Sequence, residues 1–269
     1  METSFQEIRF ERPEPFVARV TLARPERLNA YTMRMCRELC QALEQFDRDD
    51  TARVLIVTGA GRGFCSGGDV SGSDHEHHEY MKLQLGHGRE MRDGMQRVTL
   101  ALTRLDKPTI AMINGPAVAG GLALALACDF RIAGANAKLG DTSGKFGLLP
   151  DEGGAWLFPR AMGLDRALKM TLLSELYDAP TAERLGLVTQ AVAQEALESN
   201  TLAFARALAE RAPLAVRLAK SMMRRGLELS FEQSLGDAAL SVMISNPSTD
   251  VQEGLRAFFD KRPPKFEGK

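Results

Sequence analysis

Glycine is missing from the first 58 residues of this 269-residue chain, although the whole sequence contains 24 glycines. Eighteen of them lie between Gly59 and Gly154, so the residues that permit tight turns are concentrated in one stretch. The chain also lacks an excess of either charge, since it has 34 basic and 35 acidic residues. We therefore expect no nucleic-acid or membrane partner, because such proteins use basic fields to attract phosphates.

The composition excludes several classes of protein. Apolar residues make up 44% and charged residues 26% of the chain, which is typical of a soluble globular protein and not of a disordered, collagen-like or coiled-coil chain. The four cysteines have no CxxC spacing and no apolar export signal opens the sequence, so we expect a cytoplasmic location. We interpret Cys65 as a buried packing residue.

Two further features have a simple interpretation. The uncharged run 108–128 is long enough to cross a bilayer, but Asn114, Gly115 and Pro116 interrupt it, so we expect no membrane span. All four histidines lie between His75 and His87 without the cysteine or carboxylate spacing of a zinc site, so we expect no metal. The surrounding polar segment 71–87 is predicted to be an exposed loop or a weakly anchored helix.

Strand and helix patterns alternate over residues 17–160. Strands are predicted at 17–22, 53–58, 109–113 and 129–133, with a helix at 32–47 and a short buried helix after Gly120. Such alternation is typical of a β/α fold with a mainly parallel sheet. The last third of the chain is predicted to be helical, over 195–211, 214–225, 231–245 and 248–260.

The glycine clusters do not match the known phosphate-binding loops. A GxGxxG pattern starting at Gly59 would need glycine at Phe64, and the Walker pattern from Gly63 continues with Asp69 instead of lysine. No GxSxG motif of a serine hydrolase is present. The segments 59–72 and 119–121 can instead aim backbone N–H groups at a ligand, because glycine lacks the Cβ that blocks close approach. One N–H from each would form an oxyanion hole; the alternative is that both are only tight turns.

The pairing of GAGRGFCSGGDV with NGPAVAGGLALALACDFRIA resembles the enoyl-CoA hydratase/isomerase (crotonase) family. ARPERLNA, KFGLLPDEGGAWLFPRAMG, TAERLGLV and EGLRAFFDKRPPKF extend the resemblance over nearly the whole chain. It implies an α/β fold with a β/α spiral core, which we place at residues 1–195 with the CoA and acyl site. Residues 196–269 would form a helical C-terminal region that builds homotrimers or dimers of trimers.

The same resemblance implies an acyl-CoA thioester as substrate and no cofactor beyond its coenzyme A. The oxyanion donors would be the N–H groups of Ser66 and Gly120. The resemblance further implies the following substrate- and CoA-binding residues: Arg27, Ser66, Gly68, Asp69, Gly120, Phe258 and Lys261.

The two glutamates of the family's hydratases fall on Ala123 and Ser143 in this sequence, and neither residue can act as a base. Asp141 is two residues from the second position and is expected to point elsewhere. Relatives that use an aspartate as nucleophile to remove a halogen also carry a tryptophan at Ser143 and a histidine near Met95, which this chain lacks. Ordinary hydration and dehalogenation are therefore both disfavoured.

Asp151 stands where the phenylacetate-pathway isomerase and dienoyl-CoA isomerases carry their acting aspartate. One carboxylate suffices to remove a proton and return it two carbons away, and its apolar neighbours together with Glu152 are expected to raise its pKa. The alternative is that Asp151 caps a helix beginning near Glu152. We therefore predict an enoyl-CoA isomerase, with three alternatives: a hydratase with non-standard residues, a CoA-ester hydrolase, and a noncatalytic acyl-CoA-binding homologue.

Overall fold

Strands and helices alternate along most of the chain in the computed structural model, which describes residues 5–72 and 74–269. The strands are β1 (Ile8–Glu14), β2 (Val17–Leu22), β3 (Val54–Gly59), β4 (Thr109–Ile113), β5 (Ala117–Val118), β6 (Phe130–Gly134), β7 (Lys138–Gly140), β8 (Leu176–Asp178) and β9 (Gln190–Val192). The helices are α1 (Met33–Arg48), α2 (His75–Met81), α3 (Gly86–Asp93), α4 (Met95–Arg104), α5 (Gly120–Ala127), α6 (Gly154–Met162), α7 (Leu164–Leu173), α8 (Ala179–Arg184), α9 (Leu197–Ala209), α10 (Pro213–Gly226), α11 (Phe231–Ser245) and α12 (Thr249–Phe259).

Two sheets form the scaffold. The larger has the order β1-β2-β3-β4-β6-β9, and all its pairs are parallel except β1 with β2. The smaller has the order β5-β7-β8, in which β5 and β7 are parallel and β7 and β8 antiparallel. The chain thus winds from one sheet to the other, which agrees with the crotonase-like α/β spiral that the sequence predicted.

The larger sheet is covered on both faces, and β3 is accordingly buried along its whole length. One face packs with α1, α4 and α5 in the main hydrophobic core. The other face, with Ile56, Ile110 and Ile132, packs against α9 through Leu197 and Ala205. The first helix of the C-terminal region is therefore part of the sheet's core. The boundary at 195/196 stays a prediction.

Most predicted elements are present within a few residues of their expected bounds. The strands at 17–22 and 109–113 and the helix at 231–245 have the predicted limits, and Thr32 caps α1 by accepting from the N–H of Met35. The strand β1, the helices α4, α7 and α8 and the four short strands of the two sheets were not predicted. The polar segment 71–87 forms α2 and the start of α3, which is the helical alternative; Ser73 within it lies outside the described residues.

The uncharged run 108–128 folds as β4, β5 and α5, three short elements inside the core. No helix in residues 5–72 and 74–269 is both long enough and apolar enough to span a membrane.

Candidate active site

The two glycine segments lie side by side although about fifty residues separate them in the chain. The N–H of Val118 donates to the carbonyl of Cys65 over 3.1 Å, and the N–H of Cys65 donates to the carbonyl of Pro116 over 3.0 Å. A Cβ added to Gly121 would lie 2.1 Å from the Cys65 carbonyl oxygen. Glycine is therefore needed at 121 for the two backbones to approach this closely.

Asn29 fixes the first glycine segment to the loop before α1. It is fully buried and has a φ of 55°, a conformation that asparagine tolerates better than most residues. Its Nδ2 donates to the carbonyls of Ala60 and Gly63 at 2.9 and 2.8 Å, and its Oδ1 accepts from the N–H of Arg24. One buried amide thus helps to position the segment, together with Asn114, whose Nδ2 donates to the carbonyls of Gly61 and Gly63.

The structure does not leave the Ser66 N–H free to bind a ligand. It donates to the carbonyl of Leu28 over 3.1 Å, while the Ser66 hydroxyl points to the carbonyl of Arg27. The prediction that Ser66 supplies an oxyanion donor is therefore wrong in this geometry, because an N–H already bonded to a carbonyl has no proton to offer an oxyanion.

Gly68 supplies an N–H of this segment that is not hydrogen-bonded to the described backbone. Its neighbours Gly67 and Asp69 hydrogen-bond to the backbone of Tyr31, at 2.9 and 3.0 Å. In a parallel bridge the residue between two such neighbours turns its own N–H to the opposite side. Within the described parts of the chain the Gly68 N–H has no acceptor, and neither has that of Gly120.

Gly120 is the first residue of α5, so its N–H is one of those that a helix start leaves unpaired. A Cβ built on Gly67 would lie 3.6 Å from the Gly120 nitrogen, which shows how close the two segments come at this point. Ala119 before it has a φ of 49°, an unusual conformation for alanine. Two unpaired N–H groups among the described residues, those of Gly68 and Gly120, are therefore neighbours.

Asp69 and Arg27 differ in whether their charged groups are free to bind a ligand. The Asp69 carboxylate accepts from Arg24 Nη2 at 2.7 Å and from the Ser71 N–H at 3.0 Å. Although burial acts to raise it, the hydrogen bonds from Ser71 and Arg24 hold the pKa of Asp69 at about 2. Asp69 thus holds the loop in place, whereas the exposed guanidinium of Arg27 has no partner among the described residues and can meet a ligand.

Glu152 is a buried carboxyl group beside the two free N–H groups, and only 6% of the residue is exposed. Its Oε1 accepts from the Tyr31 hydroxyl at 2.7 Å. A Cβ on Gly120 would lie 2.4 Å from this oxygen and 2.7 Å from the Tyr31 ring. Burial, reinforced by the charge of Asp151, raises the pKa of Glu152 to about 7. The sequence indicated Glu152 only as a charge next to Asp151.

Asp151 is on the exposed side of the same turn, and partial burial raises the pKa of its carboxyl group, with a further increase from the nearby Asp141. The capping alternative is wrong, because α6 begins at Gly154 with Gly153 as its N-cap and without a side-chain cap. Gln96 Nε2 donates to the Asp151 carbonyl at 2.8 Å and ties the turn to α4. The Asp151 carboxyl group thus caps no helix and is instead hydrogen-bonded to the Glu152 side chain, a bond that acts to lower the pKa of Asp151 and not to raise it as the sequence predicted.

The two positions of the hydratase glutamates are buried in the structure. Ala123 is inside the main core and Ser143 begins a short 3-10 helix. Asp141 is fully buried and accepts from the N–H of Ser143 at 3.0 Å, while its Oδ2 lacks a partner among the described residues. The acidic groups at the site are thus Asp151 and Glu152, with Asp141 behind them.

A cavity of about 950 Å³ lies between α4, α6 and the C-terminal end of α10, and Asp151 and Glu152 are in its wall. Trp156 contributes an apolar surface, with the Arg160 guanidinium stacked 3.8 Å from its ring centre. The volume is that of a pocket for an organic ligand.

Phe258 and Lys261 are at the end of α12 and are exposed, Phe258 to 77%. Among the described residues no hydrogen bond or ring contact joins either of them to the glycine segments. Their assignment to coenzyme A stays a prediction.

Cys65 is fully buried, and burial raises the pKa of its thiol to about 12, which confirms that it is a packing residue. His77 pairs with Glu90 at 2.8 Å and links α2 to α3. The described residues contain no group of three or more histidine, cysteine or acidic side chains arranged to hold a metal ion.

The fold and the paired N–H groups define an α/β protein that can bind a carbonyl oxygen next to two carboxyl groups. The family model for enoyl-CoA hydratase/isomerase matches residues 13–269. The chain is 35% identical to 1,2-epoxyphenylacetyl-CoA isomerase of Escherichia coli over 260 residues, which are 95% of this chain and 97% of that protein. It is 36% identical to (E)-benzylidenesuccinyl-CoA hydratase of Thauera aromatica over 253 residues, 94% of this chain and 96% of the relative.

The crystal structure of an enoyl-CoA hydratase from Bacillus anthracis matches with a TM-score of 0.91 and 32% identity, and the match covers 98% of this chain and 100% of the other. The chain belongs to the enoyl-CoA hydratase/isomerase family and is an acyl-CoA enzyme of that family.

Proposed function

We propose that this protein moves a double bond of an enoyl-CoA between the β,γ and α,β positions. The observation that carries the proposal is the placement of the Asp151 and Glu152 carboxyl groups at the site while Ala123 and Ser143 occupy the hydratase positions. Isomerisation needs proton transfer at carbon and no bound water, so it does not depend on the missing glutamates.

The Gly68 and Gly120 N–H groups would hold the thioester oxygen. Negative charge develops on this oxygen when a proton leaves the α carbon, and two preorganised donors stabilise that charge; one such donor contributes about 2.7 to 4 kcal/mol. The dipole of α5 adds a positive potential at Gly120.

Asp151 would remove the α proton. Burial raises the pKa of its carboxylate, which makes it a stronger base than a solvated aspartate, and a hydrogen bond joins it to the second acidic group, Glu152. The acyl chain would extend into the cavity lined by Trp156.

The coenzyme A part of the substrate would meet Arg27 at the mouth of the site, with its positive charge facing phosphate. Phe258 and Lys261 would contribute from the end of α12. A homotrimer or a dimer of trimers would bring exposed C-terminal helices of neighbouring protomers next to one another.

The proposal is tested by following the conversion of 3-hexenoyl-CoA to 2-hexenoyl-CoA with wild type and Asp151→Asn. We expect the variant to lose about 10² to 10⁴ in kcat, the usual contribution of a general base. Asp47→Asn, an exposed aspartate at the end of α1, is the matched control and should keep the wild-type rate. Full activity in Asp151→Asn would show that Asp151 is not the base.

Hydration is a second candidate, since two carboxyl groups side by side can also hold a water, and the Thauera aromatica relative is named a hydratase. Incubation with crotonyl-CoA separates the two. Rapid formation of 3-hydroxybutyryl-CoA would favour hydration, and its absence together with isomerisation of 3-hexenoyl-CoA would favour the isomerase.

A further inference from the structure

We propose that Glu152 is the acid of this site and that it delivers a proton to the γ carbon of the substrate while Asp151 takes one from the α carbon. The inference rests on the proposed function and deepens it. The sequence predicted one carboxylate for both proton transfers. The structure favours two adjacent side chains, one as the base and the other as the acid.

The position of Glu152 is the first reason. Its Oε1 is so close to Gly120 that a Cβ on this glycine would overlap it, at 2.4 Å. Gly120 carries one of the two N–H groups for the thioester oxygen, so an acyl chain bound there has to pass next to Glu152. Glu152 is also one of the residues that line the cavity.

The fixation of Glu152 is the second reason. Tyr31 donates to Oε1 at 2.7 Å, and Thr99 Oγ1 donates to the Glu152 backbone carbonyl at 3.0 Å. Tyr31 itself is held, because its backbone N–H and carbonyl bond to the first glycine segment. One hydroxyl therefore joins Oε1 to the loop that carries Gly68, and a hydrogen bond joins the Glu152 carboxyl group to that of Asp151, which leaves Oε2 as the oxygen not bonded to Tyr31.

The protonation state is the third reason. Burial raises the pKa of Glu152 to about 7, so a large share of the molecules carry a neutral Glu152 near neutral pH. Burial raises the pKa of Asp151 as well, but its hydrogen bond with Glu152 acts to lower it, and Asp151 is the more exposed and better solvated of the two carboxyl groups. Burial and the contact with Glu152 also raise the pKa of Tyr31, which therefore stays a neutral donor.

The proton balance closes without another reactant. The Asp151 carboxylate forms an O–H bond as the α C–H bond breaks, and the electron pair moves into a dienolate whose oxygen is held by Gly68 and Gly120. The O–H bond at Glu152 Oε2 then breaks as the γ C–H bond forms. Asp151 ends protonated and Glu152 ionised, and transfer of one proton between these neighbours restores the starting state.

The charged and titratable groups that face Glu152 are few. Tyr31 bonds to it, Asp151 is adjacent, and Cys65 is near enough for Glu152 to raise the pKa of its thiol. Asp141 acts on Asp151. The pH dependence of the reaction should therefore report mainly the coupled pair Asp151 and Glu152.

The first test measures how kcat and kcat/KM for isomerising 3-hexenoyl-CoA vary with pH in wild type, Glu152→Gln and Tyr31→Phe. We expect wild-type activity to fall above about pH 7, where the acid is lost. Glu152→Gln should have a kcat lower by about 10² or more, and its activity should no longer fall on the alkaline side of the pH profile, the alkaline limb. In Tyr31→Phe the alkaline limb should move to higher pH, because the Tyr31 hydrogen bond lowers the pKa of Glu152. Glu183→Gln, exposed on α8, is the control.

The second test uses 3-hexenoyl-CoA deuterated at C2 in a single turnover in H₂O. We expect no deuterium at C4 in the wild-type product, and transfer of some deuterium to C4 in the residual reaction of Glu152→Gln, where Asp151 does both steps. Deuterium at C4 in wild type, or a Glu152→Gln variant with wild-type rate and pH profile, would overturn the inference. Glu152→Asp serves if the glutamine variant does not fold. If wild type does not isomerise the substrate at all, the proposed function itself fails.

Discussion

At the scale of one residue, the structure of the site allows only glycine at position 120. An added Cβ would meet Glu152 and Tyr31 at 2.4 and 2.7 Å, so even alanine would displace the carboxyl group or its hydrogen-bond partner. The glycine is thus required by close approach of side chains, in addition to its role as an N–H donor.

Gly120→Ala is accordingly expected to lower kcat by about 10² or more, because both the Gly120 N–H and the Glu152 carboxyl group would shift. A decrease of this size is similar to that caused by the loss of one oxyanion donor. Steady-state kinetics with 3-hexenoyl-CoA measure the effect. Gly88→Ala, at a position on α3 where a Cβ meets nothing within 4 Å, is the control and should keep full activity. Equal activity of both variants would contradict the geometry.

Glu152 also links stability to pH. Its pKa is about 7 in the folded protein and about 4.3 in an unfolded chain, so the folded state binds the proton more tightly. Stability is therefore lost as pH rises from about 4.3 to 7, by up to about 3 kcal/mol.

Glu152→Gln removes this titration, so its melting temperature relative to wild type should be higher at pH 8 than at pH 5. Thermal unfolding followed by circular dichroism checks the difference. A constant difference across this range would mean that Glu152 titrates normally.

The sequence could predict that two glycine segments meet, but not which N–H groups are free. Ser66 and Gly68 are equally plausible donors on glycine content alone, and only the pairing with Leu28 and Tyr31 separates them. Likewise, Asp151 and Glu152 are neighbours in the chain, and only the approach of Tyr31 shows that Glu152 is the buried one.

At the scale of elements, the loop before α1 holds the first glycine segment. Asn29 hydrogen-bonds to Ala60 and Gly63, and Arg24 forms an ion pair with Asp69. The loop is therefore bonded to both ends of the segment. This loop is therefore a structural part of the site although it supplies no acid or base.

Asn29→Ala should destabilise the protein by about 1 to 3 kcal/mol, the cost of leaving the Ala60 carbonyl and the Arg24 N–H unpaired, and should lower kcat because Gly68 moves. Urea unfolding and steady-state kinetics measure the two effects. Asn136→Ala, at an exposed position, is the control. A fall in stability without a fall in kcat would show that the loop does not position the donor.

The strongly periodic elements were predictable because local pattern and burial agree in them. β4, α1 and α11 are examples, each with its apolar pattern or cap visible in the sequence. β1 and the two- and three-residue strands were missed, since their pairing depends on contacts distant in the chain. The helices α4, α7 and α8 were missed as well.

At the scale of the whole molecule, apolar side chains remain exposed on two groups of helices. On α11 and α12 they are Phe231, Leu235, Leu240, Val242, Met243, Ile244, Leu255, Phe258 and Phe259, and on α6 and α7 they include Trp156, Leu164, Leu168, Leu172 and Leu173. A monomer rarely exposes so many apolar residues together, so these surfaces favour self-association.

We expect a solution mass of three or six times the 29.4 kDa of one chain, measured by light scattering after size-exclusion chromatography. Met243→Asp, on the exposed side of α11, should reduce that mass because it buries a charge in the interface. Glu232→Asp on the same helix is the control. A wild-type monomer at micromolar concentration would contradict the predicted assembly.

We propose that this enzyme moves a double bond of an enoyl-CoA. A ¹H NMR time course of 3-hexenoyl-CoA with the wild-type protein tests it directly, because the vinyl protons of the substrate, the conjugated product and a 3-hydroxyacyl product are distinct. We predict that the signals of 2-hexenoyl-CoA grow as those of the substrate decline, with little 3-hydroxyhexanoyl-CoA. Unchanged substrate, or free coenzyme A as the main product, would contradict the claim.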